Sequence, residues 1–259
     1  MIHFFGGENT KNTIISGLKQ FSITGFIIGV TTIVVVLAFS SLETLLRLFP
    51  VSSALPANYH LSLLLSALGS DTTASFIPII SVLPFSSSYI DDIKNSFIRY
   101  VCIRSGKTPY LLSRIIVCFL TGGMVIATGI LITAGISTVL FIPIEEQVSE
   151  LSPNLTPTLF QAIYLFFLLG GFWSVVGMSM STLMESKYIS YATPFVFYYL
   201  LVILYERYFS DLFILCPKTW TDPTAWPFGC WGATIFLLEM TLIFAFLFAF
   251  RAGRRLQQL

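Results

Sequence analysis

The chain has 259 residues, of which 55% are hydrophobic and only 10% charged, with 14 basic and 13 acidic side chains. Its mean hydropathy is +0.83. A water-soluble chain of this size carries about 25% charge, and so little polar surface cannot cover so much apolar surface in water. A bilayer removes the difficulty, because the outer faces of helices can stay apolar there.

The net charge of +1 says little by itself, and no nucleic-acid partner is expected. Four cysteines at 102, 118, 216 and 230 form no metal-ligand spacing. His3 and His60 lie far apart, so no metal site is expected. No internal repeat, low-complexity tract or long linker divides the chain, which reads as one domain, 1–259. Glu8, Lys11 and Lys19 precede any long apolar run, so the first apolar segment reads as a retained span rather than a cleaved signal.

In chain order, the segment "TKNTIISGLKQF" spaces Ile14, Leu18 and Phe21 along one face and Lys11, Asn12 and Gln20 along another. This pattern predicts a short amphipathic helix in the headgroup region. A membrane-spanning helix needs about 20 mostly apolar residues. Six segments qualify, at about 21–42, 72–89, 111–136, 159–183, 188–206 and 231–250. The second is the weakest, with Pro78, Pro84 and several hydroxyl residues. Residues 58–69 just upstream are read as an interfacial helix on the outer side, or else the span begins earlier and contains Asp71.

Between spans two and three runs "SSYIDDIKNSFIRYVCIRSGKTPYLLSR", the most polar stretch of the chain. Ile90, Ile93, Phe97 and Val101 recur at helical spacing, with Asp92, Lys94, Asn95, Arg99 and Arg104 between them. Ser88 or Asp91 can cap the start, and Gly106 and Pro109 end the helix. Such a helix can float on anionic lipid, or dock its apolar face into a groove of another protein. Physical reasoning on the sequence leaves both readings open.

Six spans place 11 of the 14 Lys and Arg residues on the side of the termini and the 90–110 loop. Only Arg47, Arg207 and Lys218 fall on the other side, so both termini are expected in the cytoplasm. Eight acids, among them Asp71, Glu145, Asp211 and Asp222, fall outside.

Within the spans, Gly25 and Gly29 are spaced as Gly-x-x-x-Gly, and Gly123, Gly129, Gly170, Gly171 and Gly177 give further smooth faces for close helix approach. Glu239 is the acid placed well inside a span, to be read as a proton relay, a polar point on a substrate path, or a hydrogen bond to a neighbouring helix or subunit. "GGFWSVVGMSM" carries Phe172, Trp173 and Met178, which could line a path or fill a core. The segment 207–230 is rich in aromatics and proline, with Trp220, Trp226 and Trp231 nearby, and should dip toward the membrane or cap it. Cys216 and Cys230 both fall outside and could be bonded. "EEQVSE" has Glu150 where a membrane-protease motif needs Arg. No set of acid, base and nucleophile supports enzyme chemistry.

This order of parts resembles the ABC-2 type permeases, the membrane subunits of type-2 ABC exporters. The layout covers nearly the whole chain. The junction "VLPFSSSYIDDIKNSFIRYVCIRSGKTPYLLSRII", followed by "LTGG", is similar to that of Gram-positive bacterial members. The resemblance implies an all-α membrane fold with six spans, an N-terminal amphipathic helix, a coupling helix and a re-entrant outer segment before the last span. It implies that Asp91, Asp92, Ile93, Phe97, Tyr100 and Arg104, with Lys94 and Arg99 on the same helix, lie at the contact with a cytoplasmic ATPase dimer. The chain has no Gly-x-x-x-x-Gly-Lys-Ser/Thr loop, so ATP and Mg would be bound by that partner. A second permease subunit, identical or related, would complete the path for a hydrophobic or amphipathic substrate of the peptide, antibiotic or lipid class. A non-transporting scaffold or immunity protein and an ion-coupled carrier using Glu239 are the alternative readings.

Overall fold

The computed structural model describes residues 13, 15, 17, 20–48, 56–95, 106–145, 154–184 and 186–258. Most of the expected N-terminal amphipathic helix, including Lys11, Asn12, Ile14 and Leu18, lies outside the described residues. The described part is all-helical: α1 Ile23–Leu48, α2 Tyr59–Leu68, α3 Asp71–Val82, α4 Ser88–Lys94, α5 Lys107–Phe141, α6 Thr156–Met184, α7 Lys187–Arg207 and α8 Cys230–Gln258. Three short 3-10 turns, Phe213–Leu215, Pro217–Thr221 and Pro223–Ala225, fill the connection between α7 and α8.

Five helices, α1, α5, α6, α7 and α8, are long and apolar enough to cross a membrane. The pair α2 and α3 makes a sixth crossing if counted as one span, bent by 68° at its break. The chain is therefore an all-α protein of multi-pass membrane character.

The break between α2 and α3 is chemically sealed. A helix interrupted in an apolar setting leaves carbonyls without partners, and each must be satisfied within the protein. The Ala67 carbonyl accepts from the Ser70 hydroxyl at 2.8 Å and from the Thr73 hydroxyl at 2.8 Å. Ser70 in turn caps α3 by accepting from the Thr73 N–H at 3.2 Å. The run "SALGSDTT" thus contains both the stop and the restart.

Two expectations for this region are corrected. Residues 58–69 do not lie on the surface as an interfacial helix. His60, Leu61, Leu63, Leu64, Ala67 and Leu68 of α2 are buried, and the helix packs against α1, α5 and α6. The second span also ends earlier than residue 89. α3 stops at Val82, and turns around Pro84 lead into α4. Proline lacks the N–H that would continue the ladder, while the Ser86 hydroxyl takes up the Val82 carbonyl at 2.5 Å.

α6 is the central helix, in contact with α3, α5, α7 and α8. Its approach to α5 depends on missing side chains. A Cβ at Gly122 would fall 2.4 Å from the Ser174 Cβ and 2.8 Å from the Gly170 carbonyl oxygen. Gly129 similarly admits the Ile33 side chain of α1, whose Cγ2 would be 1.8 Å from an added Cβ. The small-residue faces of the sequence therefore serve packing within the chain.

Gly122→Val should lower the stability of the purified protein by about 1–3 kcal/mol, since the added atoms meet backbone rather than a movable side chain. Gly135, which has nothing within 4 Å of an added Cβ, should accept Ala with a change of no more than about 0.5 kcal/mol. Thermal unfolding of both variants in the same detergent checks the contrast.

Candidate functional site

The junction from α3 through α4 to α5 concentrates the polar chemistry of one end of the bundle. Asp92 of α4 and Arg114 of α5 are each only 3% exposed and form an ion pair. The Tyr110 hydroxyl donates to Asp92 Oδ2 at 2.5 Å. Arg114 also donates to Gln20 Oε1 at 2.5 Å, which ties the chain just before α1 to the same point. The guanidinium lies over the rings of Phe85 at 5.4 Å and Tyr110 at 5.2 Å, a placement in which ring faces replace lost water. Arg114 Nε and Nη1 are buried without a hydrogen-bond partner. Burial pushes the Asp92 carboxyl above its ordinary value, opposed by the Arg114 charge and by hydrogen bonds from Tyr110, Gln20 and Arg114.

Three further contacts fix α4. Asp91 pairs with Lys187 at the start of α7. The Tyr191 hydroxyl of α7 donates to Ser87 Oγ at 3.0 Å. Tyr89 meets Phe248 of α8 edge-on at 5.1 Å. A helix of seven residues has little stability alone. Here its place is set by side chains reaching α5, α7 and α8.

Three of the residues expected at the partner contact have partners within the chain itself. Asp92 points inward to Arg114, because a carboxylate amid apolar side chains must meet a cation or hydrogen-bond donors. Asp91 is taken by Lys187, and Ile93 packs against the cluster of Tyr89, Tyr110 and Phe248. Among the described residues of the expected contact set, Lys94 is the exposed one. Phe97, Arg99, Tyr100 and Arg104 lie outside the described residues. In composition alone Arg114 is one more basic residue of the polar stretch, with nothing to show that it turns inward. An Arg seven residues into a 35-residue apolar helix, with two adjacent acids in the short helix before it, is the signal for a buried pair.

The other expected site residues are not brought together. Phe172 and Trp173 are buried near the opposite end of the bundle, in an aromatic cluster closed by Trp220. Met178 is buried in the cluster beneath α4. Glu239 is exposed on the open face of α8, apart from all three. Cys216 and Cys230 are both free thiols, so the expected bridge is absent. The connection between α7 and α8 is closed by tryptophans instead. Trp220 is 3% exposed and donates from Nε1 to the Ile214 carbonyl at 2.8 Å, and Trp226 donates to the Thr219 carbonyl at 2.7 Å.

At that same opposite end, His60 of α2 and Glu145 after α5 form a clamp. Glu145 Oε1 accepts from the His60 N–H at 2.7 Å, and both carboxylate oxygens lie within 2.9 Å of the His60 Nδ1. Among the described residues no group of His, Cys, Asp or Glu could hold a metal ion.

No protein-family model, curated protein or solved structure matches this chain.

Asp92→Ala should cost about 3–5 kcal/mol, because it strands a buried guanidinium. The double change Asp92→Leu with Arg114→Met should recover most of that loss. Melting temperatures of the two variants in detergent test whether the pair acts as a unit.

Proposed function

We propose that this chain is the membrane-spanning permease subunit of an ATP-driven ABC exporter in the cell membrane, with both termini in the cytoplasm. It moves a hydrophobic or amphipathic substrate of the peptide, antibiotic or lipid class outward. A separate cytoplasmic ATPase dimer binds ATP and Mg, and a second permease subunit completes the path.

The observation that carries this reading is the anchoring of α4. The short helix is joined by the Asp92–Arg114 pair to α5, by Asp91–Lys187 to α7 and by Tyr89–Phe248 to α8. A push on the segment that follows α4 would reach three long helices at once rather than bending a loop. Rigid-body movement of packed helices is a common means of switching a cavity between two faces. Charge supports the same placement. Lys94, Lys107, Arg114, Lys187, Arg251, Arg254 and Arg255 all belong to the end of the bundle that holds α4, as cytoplasmic segments require.

Phe97 and Arg104 supply the apolar and cationic parts of the partner contact in this reading. Phe97→Asp and Arg104→Glu should each abolish co-isolation of an ATPase with the chain while leaving its expression and melting temperature unchanged. Intact association in both variants overturns the assignment of the loop. Exposure of residues 96–105 to an external membrane-impermeant label would overturn the orientation.

A further inference from the structure

A cavity of about 410 Å³ opens at the end of the bundle opposite α4. Its apolar wall is made by Leu65 and Leu68 of α2 and by Ala162 and Phe166 of α6. Its other side is the 3-10 cap, which contributes Lys218, Thr221 and Asp222. A smaller space of about 30 Å³ adjoins it, sharing Leu68 and Phe166 and reaching inward to Trp173 and Tyr198. Ligand sites of small molecules are usually about 300–1,000 Å³, mostly apolar, with a few placed polar groups. This cavity has that size and that mixture.

The charges at its rim do not cancel. Lys218 Nζ lies 2.7 Å from Asp71 Oδ1 at the start of α3. The hydrogen bond that the Lys218 ammonium donates to Asp71 holds its pKa above the ordinary value, so the cation stays charged and engaged by that carboxylate. Asp222 Oδ1 accepts from the Thr224 N–H at 2.9 Å and from its hydroxyl at 2.7 Å. These are neutral donors, and they orient the Asp222 carboxylate without neutralising it. With Lys218 matched by Asp71, the charge left over at the rim is the negative one of Asp222.

We propose that this cavity is a binding site for a lipophilic organic cation, its apolar body held between Leu65, Leu68 and Phe166 and its positive charge facing Asp222. The site goes beyond the exporter reading and does not need it, since every lining residue belongs to this chain and no ATPase takes part. An amphipathic cation concentrated at the membrane surface would meet the cavity from the side where Trp220 and Trp226 anchor the cap. Because Thr221 and Asp222 sit on the turns that hold Trp220 in the bundle, occupancy would also brace the cap against α6.

Tetraphenylphosphonium and tetraphenylborate are matched probes, nearly equal in shape and opposite in charge. Equilibrium binding of each, radiolabelled, is measured on the chain in zwitterionic-lipid nanodiscs without ATPase, with empty nanodiscs subtracted. Saturable binding is expected for the phosphonium and not for the borate. Asp222→Asn should weaken it about fivefold, the scale of one partly exposed charge contact. Ala162→Trp, which fills the cavity, should reduce it at least about tenfold, and Thr221→Trp does the same from the cap should the first variant not fold. Equal binding of the two probes, no saturable phosphonium binding, or affinity unchanged by Asp222→Asn and by the filling variants would overturn the site. Loss of ATPase co-isolation has no bearing on any of these outcomes.

Discussion

A guanidinium and a carboxylate removed from water, at the root of a helix that must otherwise be apolar, set the geometry of one whole end of this protein. Arg114 and Asp92 each bear a large desolvation cost, which only close pairing and extra hydrogen bonds offset. Tyr110 and Gln20 supply those bonds, and the Phe85 and Tyr110 rings cover the guanidinium faces. The pair has few alternatives: separating it by a few ångströms would leave two unpaired charges among Tyr89, Val117 and Phe248. For that reason α4 cannot drift from α5. The turn between α3 and α4 becomes a fixed corner instead of a loop.

The two ends of the bundle solve the same problem by different means. At the α4 end the fastening is ionic, with Asp92–Arg114 inside and Asp91–Lys187 nearer the surface. At the other end it is mainly aromatic. Trp220 stacks on Trp173 with centroids 5.9 Å apart and meets Phe172 and Phe236 edge-on. Ring contacts of this kind add to the apolar area that each ring buries. Among the described residues the His60–Glu145 clamp is the charged fastening in that end's interior. An aromatic cap can shift by small rotations without exposing a charge, whereas the ionic corner moves as one piece or not at all.

Glu239 stands outside both fastenings. It is exposed midway along α8, beside exposed Ile235, Leu238, Leu242 and Ile243. A carboxyl in such surroundings is costly in lipid, about 2.5–3.5 kcal/mol on insertion scales. Among the described residues no hydrogen bond or ion pair offsets it.

Much of the architecture was legible in the residues themselves. Long apolar runs, the segregation of Lys and Arg, and the Pro and Gly stops set the helices and their alternation, because chain-local composition decides whether a segment can sit in lipid. Even the break after Ala67 is written in the local run of Gly, Ser and Thr. What lay beyond reading was the direction each polar side chain takes. Asp92 and Lys94 are two residues apart on one short helix, yet one is sealed inside and the other exposed. Cys216 and Cys230 fall in the same connection, yet the tryptophans close it and the thiols stay free. The cavity beside Asp222 joins α2, α6 and the 3-10 cap, three stretches well separated along the chain. Sequence settled what could enter the membrane, since transfer from water depends on each segment's own surface. Only the packed structure decided which charges meet, because a buried charge is governed by whatever distant side chain the fold sets against it.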